Sequence, residues 1–191
     1  MDLVSNVCIY GLRGSFKASK YPKAVDPAAC TAEFTQTIQN LGQCELGTGH
    51  DNFLNGIIVQ FDLCFTIKAW TEAERYHFLE FVSSQSTMHK VIELDTRKQC
   101  NPYVTENTIR EVERLKAEFI ADPSAENYLA VLYNVPVGFR LTARMTTNYR
   151  QLKTIYRQRK SHKLPEWREF CDWVETLPYR ELITGGATNE N

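Results

Sequence analysis

The sequence has no apolar run near the roughly 20 residues that a membrane-spanning helix requires. One of its longest, Tyr128-Leu129-Ala130-Val131-Leu132-Tyr133, is closed by Asn134. No membrane partner is therefore expected. The opening Met1-Asp2-Leu3-Val4-Ser5-Asn6 lacks the basic start and apolar stretch of a secretion signal, so a cytoplasmic location is expected. Cysteines stand at 8, 30, 44, 64, 100 and 171, none within four residues of another. That spacing excludes paired-cysteine zinc and redox motifs. Without a secretory context the thiols are expected to be free and mostly buried. His50, His77, His89 and His162 do not have metal-ligand spacing such as HExxH, so no metal is expected. There is no G-x-G-x-x-G turn and no Walker loop, and Gly47-Thr48-Gly49 alone is too short to stand for either. Repeats and low-complexity blocks are absent as well.

What remains is ordinary globular material, with 43% hydrophobic and 24% charged residues and a net charge of −1. A length of 191 residues fits one domain with a sizeable core, expected over 1–184, followed by a flexible tail over 185–191. Charge is unevenly spread. Residues 139–168 hold nine Lys or Arg against one acid, Glu166, and residues 169–191 hold five acids against Arg180. The basic segment reads either as a solvated face or as a site for phosphate-bearing ligands. A nucleic-acid role fits the near-neutral total charge less well.

The pattern along the chain predicts a mixed α+β fold, with a sheet packed against helices. Strands are expected at 7–10 and 56–65, the second with Ile58, Gln60 and Asp62 on one side and Val59, Phe61 and Leu63 on the other. A Gly/Ser/Pro-rich stretch covers 14–27, and a helix is expected over 28–41. Thr71 with Glu74 three residues on predicts a capped helix over 71–81, which would pair His77 and Glu80 on one face as a possible acid and base. A short strand is expected over 90–94. Thr105 caps a helix with the stripe Ile109, Val112, Leu115, Phe119, ending before Pro123. Another helix is expected over 125–132, and a strand in which Phe139, Leu141, Ala143 and Met145 alternate with Arg140, Thr142, Arg144 and Thr146. Helices over 148–159 and from Pro165 to 177 complete the pattern.

The helix from Asn148 carries the chemistry. Asn148, Leu152, Ile155 and Arg159 are spaced four, three and four apart and share a face. Arginine on a buried face needs acceptors, either a core carboxylate or a ligand carbonyl or phosphate. Asn148 suits an N-cap. Arg150 sits in the first turn, where a cation opposes the helix dipole unless an anion lies nearby. Tyr149, Tyr156, Trp167, Phe170 and Trp173 are expected in the core or an interface.

Thr147-Asn148-Tyr149-Arg150-Gln151-Leu152, then Arg159, His162 and Trp167, resembles the C-terminal signature of the flavin-dependent thymidylate synthases. That family has Asn-x-Arg-x-Leu with a further Arg seven residues after the Leu, the interval from Leu152 to Arg159. Its His and Ala-Gln-Trp-Glu segment is matched loosely by residues 161–167. Upstream, Gly49-His50-Asp51 is similar to its Gly-His-Glu loop. Its Arg-His-Arg triplet and following Ser correspond to Arg75-Tyr76-His77 and Ser86, with Gln85 between. Two of its arginines are replaced, by His77 and Met88, which removes permanent charge where a nucleotide phosphate is expected.

The resemblance implies a homotetramer with FAD bound where subunits meet. It implies transfer of a one-carbon unit from methylenetetrahydrofolate to dUMP, with NADPH reducing the flavin. By match, His50, Arg75, Asn148 and Arg150 would contact FAD. Arg159 would be catalytic, holding and polarising the uracil. Gln85, Ser86, His89 and Arg144 would bind the pyrimidine deoxynucleotide, the last two compensating for the lost arginines. The altered triplet leaves open flavin-dependent hydroxymethylation of a pyrimidine, and a non-catalytic nucleotide- or nucleic-acid-binding homologue.

Overall fold

A computed structural model of the chain describes residues 2–45 and 47–185. The expected tail lies outside them, Gly185 apart. Strand β1 (Val4–Tyr10) turns through Gly11 into helix α1 (Leu12–Ala18). Gly11 has φ +81°, and a Cβ there would stand 2.1 Å from the Gly56 carbonyl oxygen, so only glycine fits. Helix α2 (Gln36–Gln43) precedes strand β2 (Ile58–Thr66) and helix α3 (Ile67–Ala73). Strand β3 (Glu80–Ser84) is followed by the short helices α4 (Thr87–Lys90) and α5 (Thr96–Gln99). Helices α6 (Glu106–Ala121) and α7 (Ala125–Tyr133) form a hairpin. Strand β4 (Arg140–Asn148) runs into helix α8 (Tyr149–Arg159), and α9 (Pro165–Val174) and α10 (Glu181–Thr184) end the fold.

The architecture is α+β. One antiparallel sheet has the order β1-β2-β4-β3. Register explains its two faces, because directly opposed residues share a face. Val59 faces Thr147, Phe61 faces Met145 and Leu63 faces Ala143, and all are buried. Leu152 and Ile155 of α8, with Trp167, Phe170 and Val174 of α9, pack in that same core. Phe65 meets the Trp167 ring at 4.9 Å and Phe61 meets Phe170 at 5.9 Å. The other face pairs Gln60 with Thr146 and Asp62 with Arg144, all half-buried. The aromatics expected inside are there: Tyr149, Trp167 and Phe170 are buried, and Tyr156 and Trp173 pack against the core. Val91, Leu115 and Val131 form a smaller cluster beneath the α6–α7 hairpin.

Several expectations need correction. The helix expected over 28–41 begins only at Gln36, because the Thr35 hydroxyl accepts from Ile38 N–H and Asp26 accepts from Ala28 N–H in a separate turn over Pro27–Ala29. The stretch over 14–27 contains most of α1 as well as loop. The helix expected over 71–81 starts and stops earlier. Its cap is Thr66, whose hydroxyl accepts from Ala69 N–H, whereas Thr71 donates to the Lys68 carbonyl oxygen. His77 therefore lies in a turn and Glu80 opens β3, so they share no helix face. Residues 90–94 make no strand: the Val91 and Leu94 N–H groups bond back to Thr87 and Lys90 carbonyl oxygens. None of the cysteines is in a disulfide, as expected, but only Cys64 and Cys171 are buried.

Candidate functional site

The end of β4 launches α8, and the chemistry gathers there. The Asn148 side-chain oxygen accepts from Gln151 N–H at 2.8 Å, so Asn148 is an N-cap. Arg150 follows in the first turn, which contains no acid of its own. The missing negative charge comes from Asp51, fully buried in the loop before β2. Arg150 Nε donates to Asp51 Oδ1 at 3.2 Å, and Lys153 Nζ donates to Asp51 Oδ2 at 2.9 Å. Lys153 is itself 2% exposed, and its other two protons reach the Gly42 and Cys44 carbonyl oxygens at 2.8 and 2.6 Å. One ammonium thus ties the end of α2 and the Asp51 loop to α8.

Among the described residues only Asp51 engages the Arg150 guanidinium, through Nε. Its two terminal nitrogens have no partner among the described residues, and its side chain is 33% exposed. Beside it lies a cleft of about 240 Å³ lined by Gly47, Asn55, Phe78, Asn148, Gln151 and Thr154 as well. A helix N-terminus with a free guanidinium fork at its side favours a bound anion. Phe78 brings the turn that holds Arg75 to this cleft; Arg75 itself is exposed. His50 is exposed on the far side of its loop and lines a different cavity, of about 820 Å³.

Arg159, at the other end of α8, is 9% exposed. Its Nε donates to the Tyr76 hydroxyl at 2.7 Å and its Nη1 to Glu72 Oε2 at 2.9 Å. The guanidinium carbon lies 4.8 Å from the Trp167 ring centre. The core carboxylate that the sequence left open is therefore Glu72. Burial pushes the Glu72 pKa up, but Lys68, His162 and Arg159 outweigh it and hold the carboxyl below its usual value. Nη2 of Arg159 donates to none of the described residues. His162 Nε2 stands 2.7 Å from Arg159 Nη1. Burial, and then Arg159, hold the His162 pKa below the usual histidine value.

A depressed histidine pKa stabilises the fold above the ordinary value of about 6.5, and that contribution is lost as pH falls through the depressed one. Acidification from about pH 7.5 to 5 should lower the melting temperature more in the natural protein than in His162→Gln, which keeps an acceptor without titrating. Equal slopes in the two proteins would remove His162 from the acid response.

The remaining sites lie elsewhere. Gln85 pairs with β4, accepting from Thr142 N–H at 2.8 Å. Ser86 caps α4 by position, and His89 is exposed on α4. Arg144 donates to Asp62 at 3.2 Å and to the Asn6 carbonyl oxygen at 2.6 Å. By register it lies on the half-buried sheet face, opposite the core face against which Arg159 packs. One chain does not bring Arg144 and Arg159 to one ligand.

Lys153 and Glu72 had no role in the sequence reading, and Asp51 entered it only through the loop match beside His50. Lys153 carried a signal: it stands four residues from Tyr149 and three from Tyr156, on the packed side of α8.

No protein-family model matches the sequence, and no curated protein is similar enough to count as a relative. Solved structures do match. A flavin-dependent thymidylate synthase, ThyX, from Helicobacter pylori, complexed with FAD and dUMP, superposes with a TM-score of 0.72 at 17% identity over 96% of this chain and 97% of that one. A second structure of Helicobacter pylori ThyX with FAD and dUMP gives 0.74 at 16%, with the same coverage. A UMP/dUMP methylase, PolB, from Streptomyces cacaoi, bound with 5-Br dUMP, gives 0.63 at 15%, again over 96% and 97%.

The fold is that of the flavin-dependent thymidylate synthases. At this identity the likeness is one of backbone. In this chain β4 runs directly into α8, so the Asn148-to-Arg159 segment occupies the seam between sheet and helices. No helix among the described residues is long and apolar enough to cross a membrane.

Proposed function

We propose that the protein is a flavin-dependent enzyme that binds FAD and a pyrimidine deoxynucleotide and transfers a one-carbon unit to the base. The observation that supports this most is Arg150. Its two terminal nitrogens, without a partner among the described residues, stand at the N-terminus of α8, beside a cleft, on a thymidylate synthase fold.

The residues present fit the anionic part of a flavin dinucleotide. Asn148 fixes the helix end, Arg150 supplies donors, and Asp51 with Lys153 holds the fork in place. A whole FAD exceeds a cleft of about 240 Å³, so a second copy of the chain would complete the site, consistent with a homotetramer. His50 and the Arg75 turn would border the flavin. Bound FAD would supply the redox chemistry, while protein groups orient it and exclude water. NADPH and methylenetetrahydrofolate would serve as reductant and one-carbon donor.

For the nucleotide, Arg159 would reach a uracil carbonyl through Nη2, its free nitrogen, and steady charge developing on the ring. Gln85 follows β3, Ser86 and His89 belong to α4 and Arg144 stands on β4, and the nucleotide phosphate would be held by these residues. Because Arg144 and Arg159 lie on opposite sheet faces, they would serve nucleotides on different copies.

Titration with FAD, with and without dUMP, tests this by flavin absorbance and fluorescence. FAD should bind, dUMP should perturb its spectrum, and Arg150→Ala should weaken FAD by about tenfold or more, the loss of a charge-assisted contact. Absence of flavin binding in the natural protein would overturn the proposal.

A further inference from the structure

Glu166 is an acid that the fold has taken out of water. It stands second in α9, after Pro165, and is 6% exposed. Its Oε1 accepts from the Thr66 hydroxyl at 2.9 Å. Its Oε2 is buried and has no hydrogen-bond partner among the described residues. Buried polar atoms are nearly always bonded, and a charged oxygen without a donor is more costly than a neutral one.

Glu166 lines a cavity of about 190 Å³, set between the N-terminus of α9, the first residue of β4 and residues 101–103. It shares no lining residue with the cleft at α8. Arg140 lines it too. The Arg140 backbone is fixed, opposite Thr66 in register and accepting from Gln99 at 2.8 Å, but its guanidinium donates to none of the described residues. Glu169, one turn on from Glu166, also lines the cavity and forms no ion pair with the described residues. Leu3, Pro102 and Pro165 give it an apolar wall.

This lining asks for two things at once. Glu166 Oε2 needs a donor, and two carboxylates against one guanidinium favour a positively charged one. Arg140 needs an acceptor, best a carboxylate that can take its planar fork. Among the described residues no group of three or more His, Cys, Asp or Glu could hold a metal ion, so the cation that fits is an organic one. The volume lies below the roughly 300 Å³ at which drug-sized ligand sites begin, which excludes a nucleotide or a flavin.

We propose that this cavity is a second ligand site, which takes a small α-amino acid. Its ammonium donates to Glu166 Oε2 and is drawn by Glu169, and its carboxylate is held by Arg140. The proposal stands on this cavity alone and does not depend on where flavin binds.

Calorimetric titration of the full chain with each of the common amino acids tests it, with methylammonium and acetate as probes of one charge each. At least one amino acid should bind saturably, and both single-charge probes should bind about tenfold more weakly or worse. Glu166→Gln keeps an acceptor for Thr66 and removes the charge, and Arg140→Gln removes the guanidinium. Each should weaken the amino acid about tenfold or more. Arg140→Gln should also keep the natural melting temperature, so that its loss of binding reports on the site and not on the fold. Arg150→Ala should leave this binding intact. Failure of every amino acid to bind would overturn the proposal, as would full affinity in either Gln variant. Methylammonium binding as tightly as the amino acid would make the cavity a site for a cation only and overturn it too, and so would loss of binding in Arg150→Ala. The flavin proposal fails separately, through absence of FAD binding in the natural protein.

Discussion

Replacing Lys153 with methionine should lower the stability of the fold by about 3–5 kcal/mol, the range for removing one partner of a buried ion pair. Methionine keeps most of the stem's volume but none of the donors. It leaves the Gly42 and Cys44 carbonyl oxygens without their ammonium, and it leaves one oxygen of a fully buried Asp51 unpaired. Arg150 cannot take over both oxygens, because it reaches only Oδ1, at 3.2 Å. For a chain of this size each kcal/mol shifts the melting temperature by roughly 2–4 °C, so a fall on the order of 10 °C is expected by circular dichroism. Asp51→Asn should cost a similar amount. The double variant should cost clearly less than the two together, since each single change strands the other charge. Strict additivity would mean that the two charges do not act as a unit. FAD affinity should fall with Lys153→Met as well, because the same cluster holds Arg150 at the cleft.

The regular elements were legible where a period repeats. The alternation in β2 and β4 and the stripes of α6 and α8 each mark one face, and the core uses those faces. Boundaries failed where a single hydroxyl decided them. Thr66 and Thr71 are equally good caps by type, and only the end of β2 makes Thr66 the one that starts α3. Local spacing places Asn148, Arg150 and Arg159 on one helix, while the flavin assignment rested on the family resemblance. Spacing could not reveal their partners, since Asp51 lies 102 residues from Lys153 and Glu72 lies 87 from Arg159. The same distance hides the balance of charge. Part of the basic excess in residues 139–168 is met by Asp51, Asp62 and Glu72 from upstream, so Arg144, Arg150, Lys153 and Arg159 are paired rather than spread on a solvated face. Buried charges in this fold are specified pairwise across the chain, and a one-dimensional count sees only one member of each pair.

Arg159→Lys should leave the chain folded and remove its response to dUMP. A lysine at this position can still pair with Glu72 from the end of α8, where a cation also suits the helix dipole. It cannot reproduce the planar fork, which donates Nε to Tyr76 while Nη1 holds Glu72 and the guanidinium lies over Trp167. With the fork goes Nη2, the nitrogen through which the proposed contact with uracil would run. The melting temperature should stay within a few degrees of the natural protein, as for a charge kept beside its partner. The affinity of the FAD-loaded protein for dUMP should drop about tenfold or more, a cost of about 1.4 kcal/mol or above. FAD binding without nucleotide should not change, because Arg150 sits at the opposite end of the helix. A large fall in melting temperature with unchanged dUMP affinity would show the reverse: Arg159 would then be a core cation whose role ends at Glu72, and the nucleotide site would have to be sought at Gln85, Ser86, His89 and Arg144 alone.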